Sequence, residues 1–299
     1  MKLSALPDIL RFIVNHPLNR DQKLRAVLRF LGWQIRSRLT PGSVVIHFVN
    51  ESRLIVQPGL MGATGVLYTG LYEFEEMGFV LHVLRESDGF IDVGANIGAF
   101  TLLASAVTGA RSIAIEPIPA TFQHLCDNIE LNGIISKVRC LNIGIGRQPG
   151  VLQFTSSLGA TNHVVRGQEA AGQTLAVPVQ PLDQVAADFV ASVLKIDVEG
   201  YESEVIAGAG QVLSKPGLFA VLLELRGHGS RYGFDEDSLH TRMLDYGFQP
   251  YQYRPFERVL DRLPGIDRST GNTLYIRDVD LVRERVHAAP RFTVNSRTI

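Results

Sequence analysis

The sequence predicts an α/β domain: a mainly parallel, seven-stranded sheet with helices on both faces, an antiparallel hairpin at its C-terminal end and a helical extension at its N-terminal end. Three observations predict it. From residue 90 onward, short β-branched apolar runs alternate with stretches of helical character, the signature of βαβ units. The run Phe90-Ile91-Asp92-Val93 ends in glycines four apart, Gly94 and Gly98, as a strand-to-helix turn of an open α/β sheet does. The last two apolar runs have no helix between them, so they pair antiparallel.

The elements follow in order. Residues 3–14 and 21–38 read as helices separated by Asn15-His16-Pro17-Leu18-Asn19. In the second, Leu24, Val27, Leu28, Leu31 and Ile35 fall on one face and the basic residues mostly on the other, and Thr40-Pro41-Gly42 ends the helix. Residues 43–70 are rich in β-branched residues, with strands at 43–49 and 53–57, and residues 71–86 read as a helix. Strands then fall at Phe90–Val93, Ser112–Glu116, Val138–Ile143, Val193–Asp197, Leu218–Leu225, 250–254 and 272–277. Helices fall at Ala99–Val107, Ala120–Leu131, Glu202–Leu213 and Glu236–Tyr246. Residues 147–180 break the rhythm as an insertion with two strands of its own, at 152–157 and 175–181. The expected organisation is a basic helical extension (1–42), a lead-in (43–86), the main domain (87–280) and a C-terminal tail (281–299).

Composition bounds the function. With 45% hydrophobic residues the chain can bury a large core, which excludes a disordered protein. A net charge of −1 speaks against a nucleic-acid partner. The charge is uneven: residues 1–40 hold eight basic and two acidic residues, and the other 259 hold 21 basic and 28 acidic ones. For the basic segment two uses stay open, peripheral contact with an anionic membrane and a homodimer or domain-packing face. Cys126 and Cys140 lack zinc-site spacing and are expected to be small buried residues, consistent with a cytoplasmic protein. The uncharged stretch 93–110 carries three glycines and Asn96 and is too short to span a membrane, and Asp8 and Arg11 interrupt the apolar start, against a signal peptide.

The glycine turn lacks the middle glycine of the dinucleotide fingerprint and is not followed by Gly-Lys-Ser/Thr, so neither a dinucleotide site nor a phosphate loop is matched. Asp92 would repel a diphosphate there. Glu116 ends the next strand, where an acidic residue accepts ribose hydroxyls. The ordered pair describes a pocket for a nucleoside without phosphates that carries positive charge, and S-adenosyl-L-methionine is such a ligand. The rival readings are an NAD-type Rossmann oxidoreductase and a non-catalytic docking scaffold.

The chain resembles the class I, Rossmann-like S-adenosylmethionine-dependent methyltransferases, and more narrowly the FkbM family. The blocks that carry the likeness are Phe90–Gly98, Glu116–Pro119 with Leu125, Asn128 and Asn132, Lys195–Glu202 (KIDVEGYE), Gly208-Ala209, Glu224 and Gly271–Tyr275. The resemblance covers roughly residues 70–277. The resemblance implies methyl transfer, most often to a hydroxyl oxygen of a sugar, polysaccharide or secondary metabolite. It places Asp92, Gly94, Ala95, Asn96 and Gly98 at the methionine end of the cofactor and Glu116, with Pro117, at its ribose. In the strand order of that fold, Asp197 and Glu224 end neighbouring strands, with Glu199 and His228 on the loops just beyond. Two mechanisms follow. Asp197, Glu199 or His228 serves as general base, or Asp197 and Glu224 hold Mg²⁺. The metal-free version is preferred, because no complete ligand set is visible. Lys195, two residues before Asp197, shares its face of the strand and calls for a carboxylate partner. Glu202 and Glu204 read as helix-start acids. Tyr72-Glu73 resembles a family entry motif covering the cofactor. His82, His124, His163 and Trp33 read as ordinary packing or surface residues.

Overall fold

The computed structural model describes residues 6–40, 42–167 and 173–299. Outside it lie the first residues of the helix expected at 3–14, Lys2, Pro41 and residues 168–172 of the insertion.

The chain opens with α1 (Leu6–Asn15) and α2 (Lys23–Leu39). The turn between them is pinned by Asn19, whose amide donates to the carbonyls of Ile13 (2.9 Å) and Tyr68 (3.0 Å). The leucine stripe of α2 is not its buried face. Ala26, Phe30 and Trp33 go inward, while Leu24, Leu28, Leu31 and Ile35 are exposed. A hairpin of β1 (Val44–His47) and β2 (Arg53–Val56) follows. The β-rich reading of 43–70 fails beyond it, because Met61–Thr69 is a helix, α3. Pro58-Gly59 ends the strand, and the β-branched residues after it pack helically; bare Gly65 lets the Tyr72 side chain approach to where a Cβ would sit 3.1 Å away. Helix α4 (Phe74–Val83) is buried on nearly all sides, which is why it shows no amphipathic pattern.

The main sheet then builds up. In chain order its elements are β3 (Gly89–Val93), α5 (Ala99–Leu102, continued by a π-helical turn at Leu103–Val107), β4 (Arg111–Ile115), α6 (Pro119–Leu131) and β5 (Val138–Leu141). The insertion follows, with β6 (Gly144–Ile145), β7 (Gly150–Thr155) and β8 (Thr174–Gln180) forming a separate sheet of order β6-β8-β7. Next come α7 (Leu182–Val185), β9 (Val193–Ile196), α8 (Glu202–Ala207), α9 (Gly210–Ser214), β10 (Ala220–Glu224), α10 (Glu236–Asp245), β11 (Gln249–Arg254), β12 (Val259–Arg262) and β13 (Asn272–Ile276). The helix expected over 202–213 is split at Gly208, whose Cβ would stand 2.1 Å from the Gly146 carbonyl oxygen. The backbone at Gly146 and Arg147, where the insertion begins, occupies that space.

The sheet order is β12-β11-β13-β10-β9-β3-β4-β5. Strands β10, β9, β3, β4 and β5 are parallel, whereas β13 runs antiparallel to both β10 and β11. The sheet therefore has eight strands where the sequence suggests seven. The extra one, β12, is a short charged edge strand (VLDR) that pairs with β11, and its polarity hides it from an apolar-run reading. The C-terminal stretch holds α11 (Val279–Ala288), capped by Asp278 accepting from the Leu281 amide (3.0 Å), and a small hairpin, β14 (Thr293–Val294) with β15 (Arg297–Thr298).

Strand alternation divides the core. Phe90, Ala114 and Leu222 face a layer built from α1–α6 and α11. Ile91, Val93, Ile113, Ile115, Leu194 and Ile196 face α7–α10. The N-terminal helices are thus packed into the first layer through Ile13, Leu18, Phe30 and Trp33. Among the described residues, no helix is long and apolar enough to cross a membrane.

Candidate functional site

The site is assembled at the carboxyl ends of β4, β3, β9 and β10, where the parallel strands release their chains into loops. After β3, the amides of Gly94 and Ala95 both donate to the Ile115 carbonyl (3.0 and 2.9 Å), tying the ends of β3 and β4 together. Gly94 has φ +78°, and a Cβ there would lie 1.8 Å from the Asp197 carbonyl oxygen. The glycine is required by the neighbouring strand end. Asn96 is also left-handed (φ +52°), and its amide donates to Glu116 Oε2 (3.0 Å). Gly98 (φ +85°) starts α5, and its missing Cβ admits Leu125 of α6.

Glu116 is thereby held from both sides, since its Oε1 accepts from the Ile118 amide (2.9 Å). Burial pushes its carboxyl up to about 7, against the pull of those two amides. Asn142 donates to the carbonyls of Glu116 (2.8 Å) and Pro117 (3.0 Å) and so fixes the turn after β4.

Asp92 is 0% exposed. Thr101 donates to its Oδ2 (2.7 Å), and its Oδ1 has no hydrogen bond and lies 3.8 Å from Lys195 Nζ. Lys195 also sits 3.0 Å from Asp197 Oδ2 and 5.0 Å above the Phe100 ring centre. Burial works against the ammonium, but Asp197, Asp92 and Glu73 outweigh it and hold it charged. Burial would likewise raise Asp197, and Lys195 keeps it below the usual carboxylate range. The partner that the sequence asks for is therefore double, and Lys195 joins two strand ends.

Glu224 ends β10 beside Asp197. Its Oε1 is 3.1 Å from Arg226 Nε, while its Oε2 is buried without a hydrogen bond. Burial, then Asp197 and Glu199, push its carboxyl far above the carboxylate range, so it is protonated at neutral pH. His228 Nδ1 lies 3.0 Å from Glu199 Oε2. Burial lowers the imidazole, with Arg231 and Arg226 adding to it, and burial with Asp197 raises Glu199 to about 7. Glu199 has φ +56°, unusual for a side chain of its size, and next to it Gly200 (φ +105°) packs against the His228 carbonyl. Glu202 holds this loop, accepting from the amides of Val198 (3.2 Å) and Gly200 (3.0 Å). Its work is local and specific, beyond the general helix-start preference that its position suggests. Glu204 instead pairs with Arg147 (2.9 Å).

Glu199, Glu224 and His228 bring ligand atoms within 4.8 Å of one another, a spacing that could hold a metal ion. Arg226 already lies on this cluster, and its Nη2 is 3.6 Å from Glu73 Oε1. Sequence reasoning missed Arg226. A cation two residues beyond an acidic strand end is the signal, and Gly271 (φ +81°), whose Cβ would overlap the Arg226 side chain, is its packing partner. It also missed Glu76, one helical turn after Glu73. Burial, then Glu73, raise Glu76 to about 8, and burial, then Asp197, raise Glu73 to about 7. Glu73, Glu76, Phe100, Lys195, Asp197 and Asn272 line one cleft, so of the Tyr72-Glu73 pair it is Glu73 that forms part of its wall.

The remaining residues lie elsewhere. His82 is buried against the Tyr253 hydroxyl (2.6 Å), His124 meets Gln57 (2.8 Å), His163 belongs to the insertion and Trp33 to the core. Cys126 and Cys140 are free thiols, half-buried rather than fully so.

The arrangement gathers carboxyl groups well in excess of its two cations, Lys195 and Arg226. Buried oxygens of Asp92 and Glu73 accept no hydrogen bond, which suits a ligand that brings positive charge.

Comparison with known proteins adds the following. Methyltransferase sdnD of Sordaria araneosa is 28% identical over 40% of this chain and 60% of its own length. The hexuronic acid methyltransferase AglP of Haloferax volcanii is 30% identical over 45% and 55%. The chain thus spans little more than half the length of these curated relatives. Among solved structures, a putative transferase from Pyrococcus horikoshii (13% identity, TM-score 0.44) aligns over 85% of this chain and 83% of its own. A SAM-dependent methyltransferase from Agrobacterium tumefaciens (11% identity, TM-score 0.42) aligns over 79% and 70%. The profile of the methyltransferase FkbM domain matches residues 92–250, from the buried aspartate of β3 through the whole parallel core, and the chain belongs to that family.

Proposed function

We propose that the protein transfers a methyl group from S-adenosyl-L-methionine to a hydroxyl oxygen of a sugar, polysaccharide or secondary metabolite. The observation that carries the reading is the carboxylate surplus at the strand ends, with Glu116 fixed by the amides of the glycine turn. In the bound state the cofactor supplies a sulfonium-activated methyl group. Glu116 accepts the ribose hydroxyls through the lone pairs that the two amides leave free. Lys195, clamped by Asp92 and Asp197, fixes the floor of the methionine end, and the unpaired oxygens of Glu73 and Asp92 favour its cations. Asp92 acts chiefly by positioning Lys195.

His228 is the best general base. Its lowered pKa keeps the imidazole neutral at pH 7, and Glu199 beside Nδ1 steadies the charge that it gains with a proton from the acceptor hydroxyl. Glu224, protonated, cannot serve as base, and Asp197 is weakened as one by Lys195. A metal is not needed in this scheme, because the Arg226 guanidinium already occupies the Glu224 end of the cluster, 3.1 Å from its Oε1. The name of the Haloferax volcanii relative favours a sugar acceptor.

The test is calorimetric titration with S-adenosylmethionine and with NAD(H), followed by labelled-methyl transfer to extracts fractionated into glycans and small metabolites. Binding of the first ligand alone supports the reading. Binding of NAD(H) alone would return the oxidoreductase, and binding without transfer to any fraction would leave the scaffold. In the active protein, His228→Asn should cut kcat by roughly 10²–10⁴-fold with cofactor affinity retained. Activity should rise with pH along a limb centred below about 6.5. A limb centred above pH 7.5, or undiminished turnover, removes His228 from the mechanism.

A further inference from the structure

Helix α2 is an element whose sequence and burial point in opposite directions. Leu24, Leu28, Leu31, Ile35 and Leu39 follow one another at i, i+4, i+7, i+11 and i+15, and each is between 46% and 78% exposed. They form an apolar stripe about 22 Å long, at 1.5 Å per residue. The opposite face holds Ala26, Phe30 and Trp33 in the core, so the stripe is not the packing face of a displaced helix. Arg29, which donates to the Tyr68 carbonyl (2.7 Å), and Gln34, which donates to the Tyr68 hydroxyl (3.0 Å), lock the helix onto α3 with the stripe outward.

The stripe is flanked by charge of one sign. Arg25 and Arg36 line one edge, Lys23 and Arg38 lie toward the other, all exposed, and Lys23–Leu39 contains no acidic residue. Five large apolar side chains outward with cations on both margins are what an interfacial helix presents to anionic lipid. A second copy is the poorer fit, since two-fold pairing of α2 would set these arginines against their own kind with no carboxylate on either helix to meet them. We infer that α2 docks the protein on an anionic membrane surface, with its leucines in the interface and its arginines at the headgroups. Gly62 of α3 lies against Asn96 of the glycine turn, so docking sets the site one helix layer from the lipid.

Flotation of the full chain with phosphatidylglycerol/phosphatidylcholine vesicles and with pure phosphatidylcholine vesicles tests this. Binding should be confined to the anionic vesicles and fall steeply with salt. Leu28→Glu/Leu31→Glu should weaken it by at least about tenfold, and Arg25→Gln/Arg36→Gln by roughly fivefold per charge. All four positions are exposed, and unchanged melting and S-adenosylmethionine binding verify that the variants are folded. Equal binding to both vesicle types, no binding, or indifference to the leucine variant overturns the inference. A dimer in light scattering that Leu28→Glu/Leu31→Glu dissolves, without vesicle binding, assigns the stripe to a second copy instead.

Discussion

Replacing Lys195 with Met removes the ammonium that stands between carboxylates at two strand ends, while keeping a flexible side chain over Phe100. Lys195 Nζ is 3.0 Å from Asp197 and 3.8 Å from Asp92. At an effective dielectric constant near 20, unit charges at those separations attract by about 5.5 and about 4.4 kcal/mol. Most of this gross attraction offsets the cost of burying three charged groups. Removing one partner of such a cluster leaves uncompensated charge and costs about 3–5 kcal/mol. Urea unfolding followed by tryptophan fluorescence, with Trp33 in the core as reporter, measures the loss. The cause can be isolated. Lys195→Met/Asp92→Asn should recover part of the loss, because the introduced asparagine side chain can still accept from Thr101 and carries no charge. S-adenosylmethionine affinity should fall in the single variant, because Lys195 no longer fixes the floor of the methionine end. A loss below about 1 kcal/mol, or no recovery in the double variant, would refute the ion cluster as the element that joins β3 to β9.

Two further outcomes follow from the same geometry. Gly94→Ala should unfold the protein or cost more than about 4 kcal/mol in thermal melts, since its Cβ falls on the Asp197 carbonyl at a positive φ; a stable variant that binds cofactor would show that the two strand ends can part. Glu76→Gln tests the raised carboxyl. With a folded value of about 8, above the unfolded one, Glu76 contributes stability fully only below the unfolded value and loses it as pH rises toward 8. The variant should therefore melt roughly 10–20 °C above the parent at pH 8.5 and close to it at pH 5, at about 1.4 kcal/mol per pKa unit and 2–4 °C per kcal/mol; an equal offset at both pH values would mean that its charge is irrelevant.

The fold was legible where physics is local. Alternating strands and helices give the parallel core, because a βαβ unit is written in consecutive residues. The glycine turn and Glu116 are found the same way, as residues that end strands. What failed to show in the sequence depends on neighbours far away. Strand β12 is polar because it is an edge. Helix α3 is masked by β-branched residues that pack helically, and Gly208 breaks a helix because the backbone at Gly146 and Arg147 passes there.

The same division holds at the site. The chain by itself determined which acids end which strands and that Lys195 shares a face with Asp197, since a strand's period of two needs no partner to be read. Only the tertiary structure decided what those acids are. Burial among like charges protonates Glu224 and raises Glu73 and Glu76, Lys195 keeps Asp197 ionised, and Arg226 reaches Glu73 across 153 residues of chain. The tertiary structure likewise turned the leucines of α2 outward, because helical spacing fixes which residues share a face but not which face meets the core. Charge state and exposure are properties of surroundings, and surroundings exist only once the chain has folded.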